Sequence, residues 1–322
     1  MQRPTGRPTP ALIVSYPDDS WTARTVFEQE TAGAGAAARR ESEKSSAGEP
    51  GPRENRQVDV DGGPPRLIAL DVDGTLLKTG APVTDRVAAT VRAAVAAGAH
   101  VVVSTGRTVL STRPVLAELG LVRGHAICSN GAVHIDIEAA EPTAVHTFDP
   151  RPTVTALREL FPEMIFTAEQ VGSGFWATGM SPGEYYAGGE YMVVDHHTLC
   201  SVPTPRLNCW WPGGSVTEMR SLLETLAVPD ISWVYGEFGP WLTISREGVS
   251  KGWALEQLRR TLDIPREATL AIGDGFNDRE MFAWAGHSVA MANAPVELHA
   301  IVDEVTADVT ADGVAAVLER WF

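Results

Sequence analysis

The run Arg66-Leu67-Ile68-Ala69-Leu70-Asp71-Val72-Asp73-Gly74-Thr75-Leu76-Leu77 constrains the fold of this chain more than any other stretch. Leu67 to Leu70 is an apolar segment of strand length. It ends in two carboxylates one residue apart, followed at once by glycine. A short, wholly apolar run suits a central strand of a parallel sheet, buried on both faces. Open α/β sheets gather their ligands at the carboxyl ends of such strands. Side chains at i and i+2 of an extended segment point to the same side, so Asp71 and Asp73 face one site. Two close carboxylates repel, and one stays protonated unless a cation is near. A hard divalent cation such as Mg²⁺ lets one remain ionised and nucleophilic. Read alone, the stretch is equally a strand followed by an ordinary Asp-Gly turn.

The pattern recurs. Thr84 is placed to cap a helix in which Val87, Val91 and Val95 form one apolar stripe, with Gly98 as its stop. The β-branched run His100-Val101-Val102-Val103 then ends in Ser104-Thr105-Gly106-Arg107. Strand, helix and strand make a βαβ unit, and a hydroxyl beside glycine can approach an anion closely. A helix within Val109 to Leu119, started or kinked by Pro114, leads to a third strand, Ala126-Ile127-Cys128, which ends in Ser129-Asn130-Gly131-Ala132. Val133 to Ile137 and Ala144 to Phe148 read as an antiparallel hairpin. Near the other end, Trp241 to Ile244 is strand-like, and Ser250 caps a helix from Lys251 to Leu262. A lysine at a helix N-terminus opposes the macrodipole, which calls for a nearby anion unless the lysine is simply solvated. Thr269-Leu270-Ala271-Ile272-Gly273-Asp274-Gly275-Phe276-Asn277-Asp278 repeats the opening logic. A helix to Ala285, a strand His287 to Ala290, the segment Met291-Ala292-Asn293-Ala294, a strand Val302 to Thr306 and a helix capped by Asp312 follow.

Between these halves, from about Pro150 to Pro240, the chain is rich in Trp, Tyr, Gly and Pro. Strands Met164–Ala168, Phe175–Thr178, Leu207–Trp211 and Ser232–Tyr235, and helices Thr153–Phe161 and Val216–Leu226, read as a separate α+β unit. Its aromatics serve either a small core or a ring-bearing ligand. Residues 1–64 read as a flexible extension, since its Ala/Gly run and charged, Ser/Pro-rich stretch cannot offset ordering entropy, although Trp21, Val26 and Phe27 offer docking points.

The net charge is −15, and it belongs to the body rather than the tail. That excludes a nucleic-acid surface. An anionic substrate must then be met by a metal and a few local cations, and beyond residue 66 the only lysines are Lys78 and Lys251. Three cysteines fit a reducing compartment better than a disulfide framework. No apolar stretch reaches the roughly 18 residues of a membrane span, so the expectation is a soluble cytoplasmic protein. Oligomeric state is not encoded legibly.

Taken as a set, Asp71-Val72-Asp73-Gly74-Thr75-Leu76, Ser104-Thr105-Gly106-Arg107, Lys251 and Gly273-Asp274-Gly275-Phe276-Asn277-Asp278 resemble the four motifs of the haloacid dehalogenase superfamily. Ser129-Asn130-Gly131-Ala132 and Met291-Ala292-Asn293-Ala294 resemble its Cof-type subgroup, which carries a large α+β cap between the second and third motifs. The resemblance implies an α/β fold with a Rossmann-like, mostly parallel core at 65–149 and 241–322 and a cap at 150–240. It implies a Mg²⁺-dependent phosphatase acting on a small phosphorylated metabolite through an aspartyl-phosphate. Asp71 would be the nucleophile and Asp73 the proton shuttle. Thr105, with Ser104 beside it, would bind the phosphoryl group, and Lys251 would neutralise charge. Gly74, Gly106, Arg107, Asn130 and Asn277 would line the phosphate and substrate site. Asp71, Asp274, the backbone carbonyl of Asp73, and Asp278 would hold the metal. The same motifs also suit a phosphotransferase or sugar phosphomutase, or a binding module that has kept the fold. Asp149–Pro152 and Glu237–Pro240 are the hinge candidates for a moving cap.

Overall fold

The structure is a computed structural model that describes residues 12–13, 63–182, 188–236 and 239–322. Its first sheet has eight strands in the order Glu304–Val305, His287–Ala290, Thr269–Gly273, Leu67–Leu70, His100–Ser104, His125–Cys128, Val133–Asp136 and Glu141–Val145. The first six run parallel, Val133–Asp136 pairs antiparallel with the sixth, and Glu141–Val145 pairs antiparallel with Val133–Asp136. Leu67–Leu70 lies centrally and is wholly buried. Its alternate side chains feed two cores. Ile68 and Leu70 pack with the helices Asp85–Ala96, Val109–Leu119 and Gly313–Leu318. Leu67 and Ala69 pack on the other side with Lys251–Thr261 and Arg279–Trp284. This is the doubly wound, mostly parallel α/β core that the apolar runs predict.

The register decides where the site falls. Leu70 is level with Ile272 on one side and Val103 on the other. Asp71, Asp274 and Thr105 therefore leave three adjacent strands at the same carboxyl edge. Thr84 and Ser250 cap their helices as expected, accepting from the amides of Val87 and Trp253. Pro114 is carried inside the Val109–Leu119 helix. The expected cap at Asp312 is not made. Asp312 sits in the left-handed region and its carboxylate accepts instead from Thr84 Oγ1 at 2.7 Å, tying two helix starts together. The edge hairpin also starts its second strand earlier than expected, at Glu141, because Ala140 takes a left-handed conformation that closes the turn early.

The second sheet has seven strands, ordered Leu12–Ile13, Glu190–Val193, Gly174–Ala177, Ile165–Gln170, Leu207–Trp210, Trp241–Arg246 and Ile231–Tyr235. Helices Pro150–Leu160 and Val216–Leu223 cover one face, where Leu157, Phe161, Met219 and Leu223 meet Phe166, Leu207, Leu242 and Ile244. Two assignments change. Trp241–Arg246 pairs with Leu207–Trp210 and Ile231–Tyr235, so it completes this second sheet rather than opening the core half. Leu12–Ile13, read as part of a flexible extension, pairs antiparallel with Met192 and Val193; the rest of the extension, with Trp21, Val26 and Phe27, lies outside the described residues but for Gly63 and Pro64.

Of the two hinge candidates, Asp149–Pro152 begins in a connection between the sheets and Glu237–Pro240 does not. Asp149 caps the Pro150–Leu160 helix and its carboxylate accepts from Arg151, so Asp149–Pro152 is a helix start. Gly239 and Pro240 precede Trp241 inside a hairpin of the second sheet, and Glu237 and Phe238 lie outside the described residues. The connections between sheets run through 146–149, which ends in the first candidate's Asp149, and through 247–250. No helix among the described residues is long and apolar enough to cross a membrane.

The edge strand Glu304–Val305 is tied to the end of the chain by Glu304, which accepts from Arg320 Nη1 at 2.8 Å and lies 3.3 Å from His287 Nε2. Burial alone would raise this carboxyl, but those two partners hold it at about 2, below its ordinary 4.5. A depressed carboxyl stabilises the fold fully above its unfolded value and loses that contribution as pH falls towards the folded one. Acid unfolding followed by circular dichroism should therefore steepen between pH 4.5 and about 2. Glu304→Gln should be less stable at neutral pH and flatter across that window.

Candidate active site

Lys251 is the first residue of its helix and is completely buried. Its ammonium lies 2.5 Å from Asp71 Oδ1 and 2.7 Å from Asp278 Oδ1. The solvated-lysine alternative is thereby removed, and the helix-end charge has its anions. Burial works against that charge, but Asp278 and Asp71 outweigh it, and the ammonium titrates above the ordinary lysine value. Asp71 is pushed up as well, which for a carboxyl disfavours the charge. Burial raises its carboxyl well above normal, against the pull of Lys251 and with the added repulsion of Asp278 and Asp274.

Asp278 anchors this corner twice, because its second oxygen accepts from the amides of Asp274 and Gly275, each at 3.0 Å. Asp274 is steadied by Thr75 Oγ1 at 2.9 Å and Asn293 Nδ2 at 3.1 Å. Asn293 also donates to the Gly74 carbonyl at 2.8 Å, joining the first and last motifs. Gly74 is required here. It has a left-handed φ of 81°, and a Cβ at that position would stand 2.0 Å from Asp274 Oδ2.

Oxygens of Asp71, Asp274 and Asp278 lie within 4.8 Å of one another. The three carboxylates offer an all-oxygen donor set, which suits a hard cation. Such a set fits Mg²⁺.

On the opposite side, Arg107 grips Asp73 with both arms, Nε to Oδ2 and Nη2 to Oδ1, each at 2.7 Å. The guanidinium is pushed above its ordinary value, chiefly by those bonds. Thr105 Oγ1 accepts from the Arg107 amide at 3.0 Å, which leaves its own proton to donate. Asn277 Nδ2 donates to Asn130 Oδ1 at 3.0 Å, and both amides flank Gly106. Ser104 is buried, with no hydrogen-bond partner for its hydroxyl.

The sequence-predicted residues are thus brought together at one edge of the sheet. Asp71, Lys251, Asp274 and Asp278 form one cluster, Asp73 and Arg107 a second, and Gly106, Asn130 and Asn277 a third, with Thr105 on the same loop as Gly106. Thr75 and Asn293 were quoted within motifs without a role. Their signal was only their position, one residue after Gly74 and three after a strand end. Two further residues, Glu169 and Arg206 of the second sheet, reach this edge without any motif. Arg206 Nη1 donates to the Gly106 carbonyl at 2.5 Å, and Glu169 accepts from Ser129 Oγ at 2.7 Å.

Comparison with known proteins identifies the family and the fold. A family model described as haloacid dehalogenase-like hydrolase matches residues 68–171 and 215–318. A Streptococcus pyogenes protein provisionally named a phosphatase is 30% identical, over 80% of this chain and 98% of its own length. The HMP-PP phosphatase of Serratia proteamaculans is 26% identical over 80% of this chain and 95% of its own. The 5-amino-6-(5-phospho-D-ribitylamino)uracil phosphatase YcsE of Bacillus subtilis is 28% identical, with the same two coverages. Among solved structures, a haloacid dehalogenase-like hydrolase from B. subtilis superposes with a TM-score of 0.69 at 25% identity, over 80% of this chain and all of that one.

Replacing Lys251 with Met would leave two buried carboxylates facing each other without their cation. Removing one partner of a buried ion pair costs about 3–5 kcal/mol. A urea titration of Lys251→Met should show a loss of that order; an unchanged midpoint would show that the ammonium does not hold the corner together.

Proposed function

Since the chain belongs to the haloacid dehalogenase-like hydrolases, we propose that it is a Mg²⁺-dependent phosphatase that hydrolyses a small phosphomonoester through an aspartyl-phosphate on Asp71. The observation that carries this reading is the Lys251 ammonium held between Asp71 and Asp278. It presents a buried carboxylate whose other oxygen is left for attack, next to a cation suited to an incoming phosphate.

In this reading Asp71 attacks phosphorus through the oxygen that Lys251 does not occupy. The P–O ester bond breaks, and the leaving alcohol takes a proton from Asp73. Asp73, now a carboxylate, draws a proton from water as the water attacks the aspartyl-phosphate. The acyl-phosphate P–O bond breaks, inorganic phosphate leaves, and both side chains return to their starting states. Thr105 donates its free hydroxyl proton to the phosphoryl group. The Arg107 fork over Asp73 makes the acid respond to substrate. A phosphate competing for that guanidinium frees the Asp73 carboxylate, which then takes a proton from solvent before acting as the acid; this fits Arg107 to the substrate-binding role its motif implies. Asn130 and Asn277 supply amides beside Gly106.

Asp71 and Asp274 would hold Mg²⁺, with Asp278 completing the negative set and Thr75 and Asn293 fixing Asp274. The ion would supply Lewis-acid charge stabilisation to the phosphoryl oxygens. Relatives are named for different esters, among them HMP-PP, a ribitylamino-uracil phosphate and pyridoxal phosphate. The reading for this chain accordingly stops at a small metabolite monoester, one for which the second sheet serves as cap.

Phosphate release across a panel of phosphomonoesters, with Mg²⁺ and then with chelator, tests the reading. Wild type should release phosphate only with the metal, and Asp71→Asn should fall by at least about 10⁴-fold, as loss of a nucleophile does. Turnover retained in Asp71→Asn would sink the nucleophile assignment. Gly74→Ala, which intrudes on Asp274, should lose most of the thermal stabilisation that Mg²⁺ gives the wild type. An equal shift in both proteins would count against Asp274 as a ligand.

A further inference from the structure

Glu169 and Arg206 are a charged pair carried by the second sheet and buried where it meets the core; their side chains are 1% and 11% exposed. Arg206 Nε lies 3.2 Å from Glu169 Oε2, close enough to pair but with its N–H not aimed at that oxygen. If the pair served only to stabilise the cap, apolar residues of the same volume would do as well. Its hydrogen bonds instead leave the cap. Arg206 Nη1 donates to the Gly106 carbonyl at 2.5 Å, and Ser129 Oγ donates to both oxygens of Glu169, at 2.9 and 2.7 Å.

Both recipients belong to the loops that face the phosphoryl site. The Gly106 carbonyl shares a peptide unit with the Arg107 amide, and that amide donates to Thr105 Oγ1 at 3.0 Å. A charge-assisted bond on one end of a peptide strengthens the bond at its other end. Arg206 thus helps to keep Thr105 Oγ1 as an acceptor, with its proton turned to donate. Ser129 and Asn130 are non-glycine residues with φ of 52° and 56°, a conformation that persists only where the surroundings enforce it. Glu169 holds the first of these, and the second presents its amide to Asn277. The Ser129 amide, in turn, donates to the Arg107 carbonyl at 2.8 Å, so the two loops are one unit.

We propose that the cap-borne Glu169–Arg206 pair is a positioning element for the phosphoryl-binding loops, which it sets only when the cap is docked; the proposal rests on the phosphatase reading. Because both charges ride on the cap, undocking leaves neither unpaired. It releases only a hydroxyl and a carbonyl, which water can satisfy. The pair therefore couples cap position to loop geometry without a buried charge obstructing opening.

The test uses the full chain with Arg206→Ala, Arg206→Lys, Glu169→Gln and Ser129→Ala, reading kcat, KM and thermal midpoint on an ester that the wild type hydrolyses. Amide hydrogen exchange over 104–108 and 128–132 is followed in parallel. Arg206→Ala should lose about 10- to 100-fold in kcat, as removal of an outer supporting partner does, with KM within about 3-fold and faster exchange in those two loops. Arg206→Lys, or guanidinium ion added at millimolar concentration to Arg206→Ala, should recover part of kcat. A lowered midpoint with kcat and loop exchange unchanged would mean a structural role only. A raised KM with unchanged kcat and exchange would mean direct substrate binding. Either result overturns the proposal. If the wild type hydrolyses no ester, the phosphatase reading fails by itself and exchange decides the coupling. Faster exchange confined to the two loops supports it, and none overturns it.

Discussion

The Lys251 ammonium is the constraint on which the rest of this structure depends. Its two partners lie 180 and 27 residues away in the chain, so one buried charge fixes the relation of three segments. A buried cation is tolerated only if its attraction to nearby anions exceeds the cost of removing it from water. Here two carboxylates meet that need, and a third, Asp274, stands beside them. Together the three carboxylates offer an all-oxygen donor set of the kind a hard cation takes. The backbone must also permit the approach. A Cβ on Gly131 would stand 2.3 Å from the Ser250 carbonyl, so the start of the lysine's helix can seat only against a glycine.

Much of this was legible because buried parallel strands leave an unambiguous trace. Leu67 to Leu70, Val101 to Val103 and Leu270 to Ile272 are apolar throughout, and each is followed directly by polar residues at the strand's carboxyl end. Three such runs in one chain predict a sheet whose tips form a site. The electrostatic oddity of Lys251 was visible for the same reason: a charge placed against the helix dipole needs an anion. Trp241–Arg246 was misassigned because a strand's own residues say little about its partner. Its alternation fits either sheet, and only the register with Leu207–Trp210 places it. Glu190–Val193 left a weak trace, since the partly exposed Glu-Tyr-Met-Val lies beside the two-residue edge strand Leu12–Ile13 and carries no clean period.

Glu169 and Arg206 show a different limit. In the sequence, the strand reading ends at Ala168 and gives Glu169 no role, and nothing local marks the glutamate as buried. The residue is 2% exposed, because the core covers the face opposite the cap's own helices. Burial by a second domain is invisible to local pattern, which encodes only the faces a segment covers with its neighbours in sequence. Asn293 illustrates the same point at closer range. Its amide donates both to Asp274 and to the Gly74 carbonyl 219 residues earlier, and nothing near position 293 records those partners.

The two sheets also divide the chemical labour. In the proposed reading, the groups that meet the phosphoryl moiety, common to every monoester, come from the core edge, where the parallel register fixes them. Discrimination between esters needs groups that can vary without disturbing that edge. The cap-sheet face that carries Glu169 also carries Asn208, Thr243, Trp210 and Trp241. Thr243 donates to Asn208 at 3.1 Å, and the two indoles stack at 6.1 Å with planes 24° apart. None of these residues bonds to the catalytic carboxylates. Their replacement can change what the cap accepts while Asp71, Lys251 and Asp278 keep the same geometry. If Glu169 and Arg206 transmit docking to the loops, an ester that seats well against this face is also the one that brings the phosphoryl-binding residues into register. Selection and chemistry would then meet at a single buried ion pair.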